Sequence, residues 1–251
     1  MARGTQPRPS DLAAVLQAMA SRGPDGRGLH QTAAAGVGHL RLAIVDPQGS
    51  PQPVHSEDGR ISAAVHGEFY GFAGLRRQLQ AKGHTFASQG DAEILVHLYE
   101  EHGPDCVHHL RGEFAFVLWD ARRQQLVAAR DRFGIKPLHW AERAGTLWLA
   151  TEAKALFAAG VPAAWSAQAW QHVLHHQYLP PGQSLFADVH LLPPGHLLVA
   201  SENQLRLQRY WDLDLPLLAE RTRPVALREA ASLTEELGAA LQAARGHAPG
   251  G

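Results

Sequence analysis

A single cysteine, Cys106, stands in 251 residues, so no intramolecular disulfide can form. No apolar run approaches the roughly 20 residues of a membrane span. The N-terminal stretch MARGTQPRPSDLAAVLQ has no apolar core of the kind a signal peptide carries. No Lys/Arg-rich run stands out, and the formal net charge is -1. Nothing in that balance points to nucleic acid or to an acidic membrane surface. These absences fit a cytoplasmic protein that engages neither nucleic acid nor membrane.

The composition that remains, 45% hydrophobic and 19% charged, is that of a chain able to bury a core. Histidine is unusually frequent at 16 residues, so the charge shifts between about pH 6 and 7 if several titrate. His172 and His176 are spaced i, i+4 and share a helix face, but no third ligand is evident, and no metal site is expected.

Along the chain, Ser10 or Asp11 can cap a helix running to about Met19. Residues 21–28 (SRGPDGRG) are dense in turn formers and read as a loop. Apolar stretches at 36–45, 61–69, 113–119, 126–130 and 147–150 are flanked by turn residues and read as strands. Residues 71–82, 91–102, 153–159 and 167–176 read as helices, and 197–207 as a hairpin around Glu202-Asn203. A last amphipathic helix is expected over 225–245. Strands grouped with strands favour an α+β layered fold over an alternating parallel one.

Six segments occur in a distinctive order: SRGPDGRG (21–28), HLRLAIVD (39–46), HGEFYGFAGLR (66–76), GDAEILVHLYEEHG (90–103), LRGEFAFVLWD (110–120) and ARDRFGIKPLHW (129–140). LATEAKAL (149–156) and RYWDLD (209–214) follow. The set resembles the class II glutamine amidotransferase domain of the asparagine synthetase B family over residues 10–214. The resemblance implies an α+β fold, a four-layer αββα sandwich of the N-terminal-nucleophile hydrolase type with antiparallel sheets. Residues 215–251 would then be a C-terminal helix and tail, either a linker or the start of a synthetase domain. The spacing from Met1 to the Arg-Gly-Pro-Asp loop is several residues short of the family's, so the first strand is expected to be missing.

In that family an N-terminal cysteine attacks the glutamine amide, with its own α-amine as base. An Asn side chain and a backbone N–H hold the oxyanion. Carried over, Arg41 matches the Arg that grips the substrate α-carboxylate, with Ile44 beside it. Gly67 and Glu68 match the family's Gly-Glu turn, and Asp91 matches the Asp that takes the α-ammonium. The departures are as specific as the matches. The family begins Met-Cys-Gly-Ile, and this chain begins Met1-Ala2-Arg3-Gly4. His66 stands where the family has the oxyanion Asn, and Tyr70-Gly71 where it has Tyr-Asn. The Ser-Gly-Gly-Leu-Asp-Ser loop that grips ATP in the synthetase domain does not occur.

Three functions stay open at this point. The chain is a silent domain that binds an amino-acid-like molecule or scaffolds an ATP-dependent synthetase partner or domain, with ATP and Mg called for only if such a synthetase exists. It is an active glutaminase whose cysteine lies upstream. Or it runs changed chemistry in the same pocket, with His66 and Glu68 as acid and base. Pairing into a homodimer is expected from bacterial relatives. Cys106 reads as a small packed side chain in preference to a substitute nucleophile. Asp131 and Arg132 read as a structural ion-pair corner, Gly134 as a positive-φ turn, and Trp119, Trp140 and Trp148 as core aromatics.

Overall fold

The structure is a computed structural model that describes residues 8–42, 50–202 and 204–213. The expected helix over 225–245, any first strand before residue 8, and Ile44 lie outside the described residues. The chain divides into two compact units, Met1–Trp211 and Asp212–Gly251.

A six-stranded sheet is the centre of the molecule. Its strands are β3 (Val54–His55), β4 (Ile61–Phe69), β5 (Gly112–Asp120), β6 (Gln125–Arg130), β10 (His196–Ser201) and β11 (Gln204–Arg209), ordered β11-β10-β6-β5-β4-β3. A ribbon of β1 (Gly26–Gln31) and β2 (Gly36–Arg41), and a three-stranded sheet of β7 (His139–Arg143), β8 (Thr146–Ala150) and β9 (His190–Leu191), form the second β layer. Every strand pairing is antiparallel.

The period-two alternation of the strands sorts their side chains into two interlayer spaces. From β5, Phe114, Phe116 and Leu118 point one way, while Ala115 and Trp119 point the other. From β6, Val127 and Ala129 oppose Leu126 and Ala128 in the same manner. The first set packs on α2 (Phe72–Ala81) and α3 (Ile94–His102), through Leu79, Ile94, Leu95, Leu98 and Tyr99. The second set meets Val37 of β2, Leu138, Leu147 of β8 and Leu192. A third space lies under the second β layer. There Leu12 and Val15 of α1 (Pro9–Ala18) and Leu156 of α4 (Ala153–Ala158) pack on Ala141, Trp148 and Ala150. Helix, sheet, sheet and helix thus stack as four layers. Each fully buried Leu or Phe in these spaces contributes about 1.5–3 kcal/mol.

Several boundaries differ from expectation for local reasons. Helix α1 is capped by Arg8, not by Ser10 or Asp11: Pro9 takes the first helical position, where its missing N–H costs nothing, and Arg8 reaches forward to the Asp11 carboxylate. Residues 21–28 are not all loop, because Gly26 already opens β1 and pairs with Arg41. Gly71 is not helical. It caps α2 in the left-handed conformation, with φ +68°. Asn is the residue that most readily replaces Gly there, which accounts for the family's Asn at this position. Helix α5 (Ala167–His176) starts at Ser166, whose hydroxyl accepts from the Ala169 N–H. Trp119 and Trp148 are buried as expected, whereas Trp140 is half-buried and stacks on His190.

Candidate functional site

A cavity of about 650 Å³ opens between the two β layers. At its polar end it gathers His39 and Arg41 from β2, His66, Gly67 and Glu68 from β4, Asp91 from the α2–α3 connection, and Lys136 with Glu113. Its depth is apolar, with Leu12, Leu16, Val37, Val117 and Leu147 among the lining.

Local packing requirements place each group. Gly23 approaches β2 so closely that a Cβ there would lie 2.2 Å from the Leu40 carbonyl carbon, and the Asp25 N–H donates to the Arg41 carbonyl. The glycine of the Arg-Gly-Pro-Asp turn is therefore what seats that turn against the strand carrying Arg41. Gly67 has φ +116°, and a Cβ on it would meet the Glu113 carbonyl oxygen at 1.9 Å. Only glycine fits between His66 and Glu68 in this β4–β5 pairing, and both neighbours face the cavity.

Asp91 is fixed by its backbone surroundings. Its Oδ2 accepts from the Phe69 N–H at 2.7 Å, tying the α2–α3 connection to the end of β4. The same connection is held by Glu93, whose carboxylate accepts from the backbone N–H groups of Ala87 and Ser88. Buried Arg76 donates to the carbonyls of Ser88 and Gly90.

His66 has its Nε2 3.5 Å from Nη2 of Arg22, and its Nδ1 is buried with no hydrogen-bond partner. Burial, then the charges of Lys136 and Arg22, push its pKa down to about 4. The ring is accordingly neutral near pH 7, able to donate one hydrogen bond and accept another. His39 is likewise held near 4, chiefly by burial, and hydrogen-bonds the Val65 carbonyl at 3.1 Å.

Of the residues expected from the sequence, Arg41, His66, Gly67, Glu68 and Asp91 converge on one cavity. Sequence reasoning missed Gln52, whose side chain both donates to the Val65 carbonyl and accepts from its N–H, at 3.1 and 2.7 Å. It also missed Lys136, 3.3 Å from a Glu113 oxygen. The segment 129–140 carried the signal for Lys136, but no spacing rule points to Gln52.

The Asp131 corner takes a different form from the expected ion pair. Asp131 accepts from the backbone N–H groups of Phe133, Ile135 and Lys136, at 3.0–3.1 Å. The neighbouring cation that braces the turn is Arg130, which donates to the carbonyls of Gly134, Lys136 and Leu192. Gly134 has φ +67°, as its turn requires. This corner aims Lys136 into the cavity.

Cys106 lies elsewhere, sealed between α3 and the six-stranded sheet, and burial pushes its thiol up to about 12. It is a packed core side chain.

Comparison with known proteins agrees with this geometry. The profile of the glutamine amidotransferase domain family matches residues 1–211. The amidase chyE of Penicillium rubens is 41% identical over 208 residues, covering 82% of this chain and 30% of the relative. An asparagine synthetase (glutamine-hydrolysing) of Bacillus subtilis is 34% identical over 204 residues, covering 80% of this chain and 33% of the relative. The chain thus spans about a third of the length of these relatives. Among solved structures, the glutamine phosphoribosylpyrophosphate amidotransferase of B. subtilis superposes with a TM-score of 0.63 at 18% identity, over 83% of this chain and 48% of that one. That likeness is one of fold, the N-terminal-nucleophile αββα sandwich. On the family match and the relatives together, the chain belongs to the class II glutamine amidotransferase domain family, related to asparagine synthetases.

Proposed function

We propose that this chain binds an amino-acid-like molecule in the 650 Å³ cavity without hydrolysing glutamine by itself, and that it serves a separate ATP-dependent synthetase in an amide-forming step. The observation that carries this reading is the make-up of the cavity. Arg41 and Asp91 both line it, a cation for an α-carboxylate and an anion for an α-ammonium, while no thiol does. His66 supplies a neutral hydrogen bond where an oxyanion donor is called for, and among the described residues no thiol faces it. The likeness to amidases and asparagine synthetases supports amide chemistry in the whole assembly. ATP and Mg would belong to a synthetase domain or partner, outside this amidotransferase domain.

The test is a melt of the chain with L-glutamine, L-glutamate, and glutamine analogues lacking the α-amine or the α-carboxylate. A ligand held through both groups raises the melting temperature by mass action, and either deletion removes the shift. Arg41→Ala should remove it as well. A melt unchanged by every compound, or glutamate released from glutamine by the purified chain, would overturn the reading.

A second reading, an active glutaminase whose cysteine lies upstream, has its own support. The β1–β2 ribbon and the β8-β7-β9 sheet line the same cavity, yet among the described residues they are not hydrogen-bonded to one another. Mass analysis of the N-terminus of the native protein separates the two readings. A chain starting at Met1 or Ala2 sinks the second.

A further inference from the structure

On the far side of the six-stranded sheet, four side chains from three segments meet. Glu57 comes from the turn joining β3 to β4, His84 from the stretch after α2, and His97 and Glu100 from one face of α3. One ligating atom from each lies within 4.8 Å of all the others. Nδ1 of His97 is 3.3 Å from a Glu100 oxygen and 3.7 Å from a Glu57 oxygen. Nδ1 of His84 is 3.5 Å from the same Glu100 oxygen and 3.8 Å from the other Glu57 oxygen. Zinc–nitrogen bonds of about 2.0–2.1 Å set a tetrahedral ligand–ligand edge of about 3.3–3.4 Å, so the shorter of these spacings already match it and the widest, up to 4.8 Å, must close by rotation of the side chains.

An independent feature lies behind the ligating atoms. Histidines that hold a metal through one ring nitrogen characteristically turn the other toward a carboxylate, which fixes the tautomer. One ring here does so: the Nε2 of His84 is 3.2 Å from Oε1 of Glu101, which also pairs with Lys82. The Nε2 of His97 lies 3.8 Å from Oε1 of Glu93, beyond hydrogen-bond reach, and is buried with no hydrogen-bond partner. Phe86 packs on the His97 ring at 4.4 Å, His97 is fully buried, and Glu57 is fixed by accepting from the Thr85 N–H.

We propose that Glu57, His84, His97 and Glu100 form a four-coordinate site for a divalent transition-metal ion of the zinc class, separate from the glutamine-type cavity. Two imidazoles and two carboxylates suit such an ion better than calcium or magnesium, which take all-oxygen shells. The ion clamps the α2–α3 connection, which carries Asp91, onto α3 and onto the β3–β4 turn. Its role is structural, since all four positions are filled by protein groups.

The test is titration of the tag-free, chelator-treated chain with zinc, and with cobalt(II) as a spectroscopic probe. The expected result is one saturable equivalent, a raised melting temperature, and the intense visible bands of tetrahedral cobalt. His84→Ala and Glu100→Gln should each abolish all three. Glu101→Gln should weaken binding about 10- to 100-fold. A His172→Ala/His176→Ala chain should bind as the parent does. Should His84→Ala not fold, the near-isosteric Glu100→Gln decides. No saturable zinc binding by the parent, undiminished binding by Glu100→Gln, or a loss confined to the His172/His176 variant overturns the proposal.

Discussion

Replacing His66 by Asn gives the sharpest test of the electrostatics of the cavity. Unfolded, the imidazole takes up its proton near pH 6.5; folded, it does so only near 4, because burial and then the charges of Lys136 and Arg22 oppose it. Between those values the unfolded chain binds more protons than the folded one. Stability therefore falls as pH drops through that window and levels off below about 4. Worked from these two values, His66 costs almost nothing at pH 7 and up to about 2 kcal/mol at pH 5. His39 is depressed in the same range, so the parent chain loses stability from both rings. Asn does not titrate. Urea unfolding of parent and His66→Asn at a series of pH values isolates the share of His66 as a difference of differences. The gap between the two chains should shift in favour of the variant by up to about 2 kcal/mol from pH 7 to pH 5. Parallel profiles, differing by the same amount at every pH, would refute the claim that His66 is buried and neutral.

Three further outcomes follow from packing and backbone geometry. Gly67→Ala, which combines a positive φ with a Cβ 1.9 Å from the Glu113 carbonyl oxygen, should cost on the order of 3 kcal/mol in urea unfolding and disturb the β4–β5 pairing at the cavity. Gly71 has φ +68° but no atom within 4 Å of a Cβ, so Gly71→Asn should cost less than about 1 kcal/mol while Gly71→Val costs about 1–2 kcal/mol; equal effects would show that the left-handed cap is not what selects the residue. Cys106, sealed in the core with its thiol at about 12, should resist thiol reagents in the native chain and react at once in denaturant; rapid native labelling would contradict the packing.

Much of the layered fold could be read from the sequence because alternation survives wherever a strand is covered on both sides. Alternation marks 61–69 as a strand to the residue, and 113–119 stops one residue short of β5 at each end. The errors sit where a backbone requirement overrides pattern. Residues 21–28 are rich in turn formers, yet Gly26 and Gly28 are strand residues. Gly28 is there because the Gln52 carbonyl passes within 1.8 Å of where a Cβ would be. No single-sequence rule anticipates a neighbour 24 positions away. The same holds for Gln52, which has the composition of loop and acts as a substitute strand partner for Val65.

The contrast between the two histidine clusters shows why local spacing is a poor guide to sites. His172 and His176 have the i, i+4 spacing that draws attention, and their tilted rings lie 4.4 Å apart, but beside them stand His175 and Tyr178, and among the described residues no group of metal-ligating side chains includes them. Glu57, His84, His97 and Glu100 have no motif at all, because three segments must fold before the four meet. The resemblance brings Arg41, His66, Glu68 and Asp91 to one cavity for the opposite reason. There the order of segments already encoded the fold, and the residues came with it. What that order could not supply is charge state. Only the packed structure shows that His66 is held neutral, near Arg22 and Lys136, on a cavity that Arg41 also lines from the neighbouring layer. A cationic imidazole beside two other cations would add to the positive charge of the cavity; a neutral one leaves that charge to Arg22, Arg41 and Lys136.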